Sequence, residues 1–521
     1  MSRRTYFILF LCGLILPTVI AFFQPKPGYL DSEYYFAGGV QLATGHGFNE
    51  PYLWNYLDGT RSLPHPSHTY WMPLSSIVAA IPMLITGLTT YAVARVPFIL
   101  IGAAIVPLTA ALSFAFSKKQ DVAILSAMFS IFTVYNAPFI GVTDNFGLFM
   151  LFGVLYFLTA TKLIEDPARS KYWPVLGLLA GLLSLSRSDG LLWLGMTFIF
   201  TLFRAPKTTF SKLLGYVVRN SIFALVGFLL IMLPWYVRNY NLFGTIMAPG
   251  GSRALWLENY DQTFIYPPEA LSKESFLATG WTEILSDRLW ALGNNLQSGF
   301  AAHGGIILFP FIVAGILYHR RDERVKLAWI AWLILLLVMT FLFPFAGARG
   351  AFFHAGAALQ PMWWVVAPLG LDGILDSLRK RGWGDEQGRF IFRSALVLVT
   401  VILTFYVVYL RLFALGWGDG KMGYSDVEQF IVSHGARAQD VVIVLDAPGY
   451  YLDSGRSAVS IPYGGREAVL NVSRQFNAEY LVLEKEAAIN DLKILIDSPE
   501  QNEHFTYLGT LDEAYIFKLN P

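Results

Sequence analysis

The chain has 521 residues, 55% of them hydrophobic and 14% charged, with a net charge of +1. A soluble domain carries about 25% charged residues, so the composition excludes a soluble enzyme and points to an integral membrane protein with no sign of a nucleic-acid partner. The single cysteine, Cys12, lies in an apolar run, which excludes an internal disulfide and a thiolate metal site.

The first apolar run follows Arg3 and Arg4 and reads as an uncleaved membrane helix at 6–23. No small-residue cleavage site follows Phe23, and many spans come after it. Further apolar runs read as spans at 95–116, 121–139, 145–163, 172–187, 190–204, 219–237, 300–318, 326–345, 357–376 and 392–412. That makes eleven, of which the two flanking Arg187 and Asp189 are short. The segment 72–88 is a twelfth candidate, and charge decides against it. With eleven spans and the N-terminus inside, the basic clusters Arg3/Arg4, Lys118/Lys119, Lys162/Arg169/Lys171, Arg204/Lys207/Lys212/Arg219, Arg320/Arg321/Arg324/Lys326 and Arg379/Lys380/Arg381/Arg389/Arg393 all fall on one side. The segment 72–88 is therefore expected as an interfacial or re-entrant helix on the outer face.

The expected fold is an all-α polytopic membrane protein of about eleven helices, with a small C-terminal α/β domain outside the membrane. Residues 1–415 form the membrane domain, with outer loops at 24–94 and 238–299; residues 416–521 form the exterior domain. In that domain, VVIVLD at 441–446 and YLVLEK at 480–485 read as buried strands, with helical patterns near 424–434 and 465–476. The segments FTYLGT and AYIFKL read as a hairpin. The chain is expected in the plasma (inner) membrane, N-terminus cytoplasmic, with active site and C-terminal domain exterior.

The stretch from Gly28 to Pro73 is the densest cluster of acids, histidines and aromatics in the chain. Asp31 and Glu33 follow the first span; Tyr34, Tyr35, Trp54, His65, His68 and Trp71 come after them. Asp144 opens a span on the same outer face, Arg187 and Asp189 lie between two short spans, and Arg349 and His354 share a glycine-rich outer loop. Asp31, Asp144, Arg349 and His354 are far apart in sequence and on one side of the expected topology, so they are expected to converge on one polar site.

The membrane part, roughly 5–415, resembles the GT-C superfamily of membrane glycosyltransferases, and among them the protein O-mannosyltransferases and lipid A aminoarabinose transferases. The resemblance rests on Asp31 with Glu33 nearby after span one, His65-Pro66-Ser67-His68-Thr69-Tyr70-Trp71 leading into an interfacial helix, Pro138 to Asp144 before a span, and Pro234-Trp235, Arg238-Asn239 and Phe243-Gly244 ending another. It implies an inverting transfer of a sugar from a polyprenyl-phosphate donor to an acceptor hydroxyl on a protein, lipid or glycan, at the outer face. It also implies Asp31 as catalytic acid and Asp144 as the second acid. Ser32 separates Asp31 from Glu33 where the family often has adjacent acids, which leaves open which carboxylate acts.

A phosphate leaving group needs no general acid. The reaction needs a base for the acceptor hydroxyl, read as Asp31, and positive charge for the departing phosphate, read as Arg349 with His65 or His354. Tyr34, Trp54 and Trp71 are read as platforms for the sugar or the lipid neck. The sequence assigns no cofactor outright, and a divalent cation (Mg or Mn) between Asp31 and Asp144 fits the oxygen donors. The alternative reading is a transporter or flippase of a lipid-linked sugar, which would place ionisable groups at mid-membrane and show paired repeats.

Overall fold

The computed structural model describes residues 1–520 other than 167–168, 207, 383–384 and 419–422. Lys207 of the fourth basic cluster lies outside the described residues. Each apolar stretch read as a span holds a helix. Among the described residues six helices are long and apolar enough to cross a membrane: Arg3–Phe22, Tyr91–Ser117, Phe146–Glu165, Phe210–Phe243, Glu323–Leu342 and Glu386–Ala414. Gln120–Ile131 and Tyr172–Ser186 are apolar but shorter. Leu74–Thr86, in the segment expected to be interfacial, has 13 residues. At 1.5 Å per residue that is about 20 Å, short of the roughly 30 Å hydrocarbon layer.

The expected span at 300–318 is corrected. Trp281–His303 and Ile306–Tyr318 meet at 91°. The break falls at Gly304 and at Gly305, whose φ of +54° suits glycine, just after a π-helical turn at Gly299–His303. The helix ahead of the second outer loop continues to Phe243 and is capped by Gly244 in the left-handed region, while Trp281–Ser298 is already helical.

Close helix contacts depend on glycine. A Cβ at Gly177 would collide with the Ala224 carbonyl, and one at Gly227 with the Pro174 carbonyl. Tyr172–Ser186 and Phe210–Phe243 therefore touch backbone to backbone, as small residues permit in membranes. The basic clusters meet at one end of the bundle, where Lys118 pairs with Glu165, Arg204 with Glu323, and Arg393 with Asp121 and Asp372. The acidic and aromatic loops gather at the other end.

The C-terminal unit is a six-stranded mixed sheet. Its strands, numbered with those of the first outer loop, are β1 (Asn49–Glu50), β2 (Tyr52–Leu53), β3 (His65–Pro66), β4 (Val441–Val444), β5 (Ala458–Ser460), β6 (Ala478–Glu484), β7 (Phe505–Leu511) and β8 (Ala514–Leu519). β1 and β3 pair antiparallel; the larger sheet runs β2-β5-β4-β6-β8-β7. The β7–β8 hairpin, the two buried strands and the helices Tyr424–Ser433 and Gly465–Phe476 lie where the sequence puts them. β2 comes from the first outer loop, so the sheet draws on both sides of residue 416.

Candidate active site

The chain leaves the first membrane helix and turns at Gly28, with φ +86° and the Trp417 indole packed against it. Tyr29 is extended, and the helix Leu30–Ala43 follows with Asp31 and Glu33 in its first turn, where carboxylates oppose the helix dipole. Two helical positions differ by roughly 200° in direction, so the two acids diverge. Asp31 lines a cavity of about 1150 Å³, and 27% of its side chain is exposed. Glu33 does not line that cavity; it is buried, and its charge acts on Tyr424 of the C-terminal unit.

Asp144 precedes the helix Phe146–Glu165 and is fully buried, with 0% of its side chain exposed. The Tyr29 hydroxyl donates to its Oδ2 at 2.7 Å, and the Asn145 N–H donates to its Oδ1 at 2.6 Å. Burial raises the Asp144 pKa, against the pull of these bonds and of Arg187. His354 lies between the acids: Nε2 is 3.9 Å from Asp31 Oδ2 and Nδ1 is 3.9 Å from Asp144 Oδ1. Burial, then the Arg187 charge, pushes the His354 pKa well down, so the ring is neutral. Nδ1 is 3.1 Å from Asn145 Oδ1. That oxygen can only accept, so Nδ1 carries the proton and Nε2 keeps a lone pair toward Asp31.

One donor atom from each of Asp31, Asp144 and His354 lies within 4.8 Å of the others. Two carboxylates and a neutral imidazole fit a divalent cation, and the nitrogen favours Mn or Zn over Mg.

Three cations reach the same cavity: Arg187, Arg349 and Arg411. Arg187 pairs with Asp189 at 2.7 Å; burial opposes its charge, but Asp189 more than compensates and raises its pKa. Arg349 lies over the Tyr260 ring at 5.2 Å, and among the described residues no carboxylate is within ion-pair distance of it. Arg411 donates to the Tyr135 hydroxyl at 2.9 Å. The π-helical turns at Gly299–His303, Val338–Leu342 and Leu410–Ala414 each contribute residues to the cavity wall, as does Gly347–Ala351, which kinks at Gly350 with φ +130°. Such widened turns concentrate at functional sites.

Tyr35, Trp54 and Trp71 form an aromatic wall of the cavity. The two indoles stack at 4.0 Å and 11°. Tyr34 stands behind that wall, edge-on to Trp71, and its hydroxyl accepts from the His68 N–H at 2.8 Å. His65 and His68 do not line the cavity. His65 Nε2 is 2.8 Å from Asp58 Oδ2 and Nδ1 is 3.6 Å from Glu50 Oε1; His68 bonds Ser67 and Ser76. Burial, then the Arg238 charge, pushes His68 down to about 3. His65 faces the carboxylates of its own loop and His68 faces Ser67 and the helix Leu74–Thr86. Tyr29, Arg187 and Arg411 were not read from the sequence as site residues. A cation at the far end of the apolar run 392–412 from Arg393 was the available signal for Arg411; Tyr29 had none.

No protein-family profile matches the chain, and no curated protein matches it. Solved structures do. The chain is similar to ArnT from Cupriavidus metallidurans in the apo state, with a TM-score of 0.58 at 11% identity over 99% of this chain and 98% of ArnT. It is similar to the Archaeoglobus fulgidus oligosaccharyltransferase tethered to an acceptor peptide, with a TM-score of 0.58 at 14% identity over 95% of this chain and 71% of that one. The fold is that of the GT-C membrane glycosyltransferases. ArnT has also been solved with undecaprenyl phosphate, and the oligosaccharyltransferase with a dolichol-phosphate and with zinc and sulfate.

Proposed function

We propose that the chain is an inverting glycosyltransferase that moves a sugar from a polyprenyl-phosphate donor to an acceptor hydroxyl at the outer membrane face. One observation carries the reading: a partly exposed carboxylate, Asp31, opens into a cavity that also receives Arg187, Arg349 and Arg411. The donor is a phosphate diester with one charge, and the departing polyprenyl phosphate carries two. The acceptor oxygen bonds to the anomeric carbon, the bond from that carbon to the phosphate oxygen breaks, and the hydroxyl proton passes to Asp31. The arginines face a charge that grows as the reaction proceeds, so they stabilise the transition state more than the bound donor. Asp144 is too buried to meet an acceptor and orders the site through Tyr29 and Asn145. A divalent cation held by Asp31, Asp144 and His354 would add positive charge beside the phosphate. Lipid phosphates bound to the two similar structures support a lipid-linked donor. The Arg187–Asp189 pair, which would suit a transporter at mid-membrane, lies in the wall of this same cavity.

The test is transfer of radiolabelled sugar from a panel of polyprenyl-phosphate donors by wild type, Asp31→Asn and Glu33→Gln, with and without a chelator. Loss of a base costs about 10²- to 10⁴-fold, so Asp31→Asn loses transfer while donor binding persists and Glu33→Gln retains it. Equal transfer by wild type and Asp31→Asn overturns the assignment.

A further inference from the structure

The end of a helix leaves carbonyls without helical partners. At the end of the first membrane helix those carbonyls are met by Arg95, 3% exposed, at the head of another span. Its Nη1 donates to the Ala21 and Gln24 carbonyls at 3.1 and 2.7 Å, and its Nη2 to Gln24 Oε1 at 2.8 Å. Its Nε donates to the Gly141 carbonyl at 2.9 Å, and Gln24 Nε2 donates to the Pro138 carbonyl at 2.9 Å. The guanidinium lies 5.0 Å from the Tyr91 ring centre. Among the described residues no carboxylate pairs with it.

Burying a charge without a counter-charge is costly. It is tolerated here because the carbonyl end of a helix carries partial negative charge. The planar five-donor fork reaches two chain segments at once, which a lysine ammonium does not. Those segments lead to the two carboxylates of the site. Gln24 precedes Asp31, and Gly141 precedes Asp144. Above Arg95 the two segments are tied again: Ser32 Oγ and Thr143 Oγ1 are 2.9 Å apart, Thr143 Oγ1 donates to the Ser32 carbonyl at 2.8 Å, and Tyr29 donates to Asp144.

We infer that Arg95 is a positioning residue: it holds the Asp31 and Asp144 segments in register from below the site and touches no substrate. Arg95 is not among the residues lining the cavity. The catalytic part of this inference rests on the glycosyltransferase reading; the register part does not.

The test uses the full chain with Arg95→Gln and Arg95→Lys. A small misplacement at a reaction centre costs roughly 100-fold, so kcat falls by about that factor in Arg95→Gln, and less in Arg95→Lys, with KM for the donor unchanged. Register is read separately by oxidative crosslinking of Ser32→Cys with Thr143→Cys in a Cys12→Ser background, because a disulfide tolerates little movement. The crosslink forms readily with Arg95 present and poorly in Arg95→Gln. Where Arg95→Gln does not accumulate in membranes, Gln24→Leu removes part of the same strap and shifts both readouts in the same direction. Unchanged crosslinking and unchanged kcat in a variant that accumulates overturn the inference, as does a lowered melting temperature with both readouts unchanged. If wild type transfers no sugar, the functional reading falls while the crosslink still decides the register.

Discussion

Replacing His65 by Gln removes a cation from between two buried carboxylates. The imidazole stands 2.8 Å from Asp58 and 3.6 Å from Glu50, and none of the three side chains is more than 5% exposed. Burial works against the charged ring, but the Asp58 and Glu50 hydrogen bonds and charges outweigh it and push its pKa up to about 9 from an ordinary 6.5. At 1.36 kcal/mol for each tenfold change in proton affinity, that step is worth about 3 kcal/mol. The folded pKa is the higher one, so the contribution is complete below about pH 6.5 and is lost as pH rises through about 9. Asp58 is held below its ordinary range by the His65 hydrogen bond and charge despite burial, and Glu50 is raised by burial. The assay is thermal unfolding of purified wild type and His65→Gln in detergent from about pH 6 to about pH 9.5. Wild type is the more stable protein at the acid end, and the two midpoints converge at the alkaline end. A gap that stays constant across the window refutes the argument, because the His65 charge would then not be what braces the first outer loop.

Tyr29→Phe removes the hydroxyl from Asp144 and lowers kcat about tenfold, the equivalent of one charge-assisted hydrogen bond, read at saturating donor. Arg349→Gln lowers kcat about 100-fold, as loss of one oxyanion-stabilising donor does elsewhere; Arg349→Lys restores part of it in the same transfer assay. Gly227→Leu drives a side chain into the Pro174 carbonyl and costs about 1–3 kcal/mol, seen as a lower unfolding midpoint.

The spans were legible because long apolar runs have one physical explanation in a chain this poor in charge. The convergence of Asp31, Asp144 and His354 was legible through parity alone: the basic clusters fix which loops share a side, and groups on one side can meet. Parity says nothing about direction within a loop. It could not choose between Asp31 and Glu33, which helical phase separates, the first toward the cavity and the second toward Tyr424. Nor could it show that His65 and His68 do not line the cavity, because a histidine's type does not reveal whether its partner is a ligand or a neighbouring carboxylate. The 91° break at Gly304 and Gly305 was hidden for a related reason: a bent apolar helix and a straight one have the same composition. β2 is two residues long, too short to leave any periodic signal.

That short strand ties the C-terminal sheet to the candidate active site. Tyr52 and Leu53 pair in parallel with Ala458 and Val459, so the loop that carries Asp31 supplies an edge strand of the C-terminal sheet. The attachment continues on both sides. The Ala458 N–H donates to the Pro51 carbonyl at 3.3 Å, the Tyr56 hydroxyl donates to the Ser460 carbonyl, and Gln41 donates to the Tyr451 hydroxyl at 2.6 Å. Leu53 and Tyr56 pack with Ile443 and Val459, while Tyr34, Tyr52 and Trp54 pack with Val442, Tyr450 and Ile516. Trp54 is the residue after β2, and its indole stacks on Trp71 in the cavity wall. A sheet with an unpaired edge offers its free N–H and C=O groups to whatever lies beside it; here that partner is the loop of the candidate active site. The C-terminal sheet therefore fixes where the aromatic wall stands relative to Asp31, and removing it would strip that wall of its support.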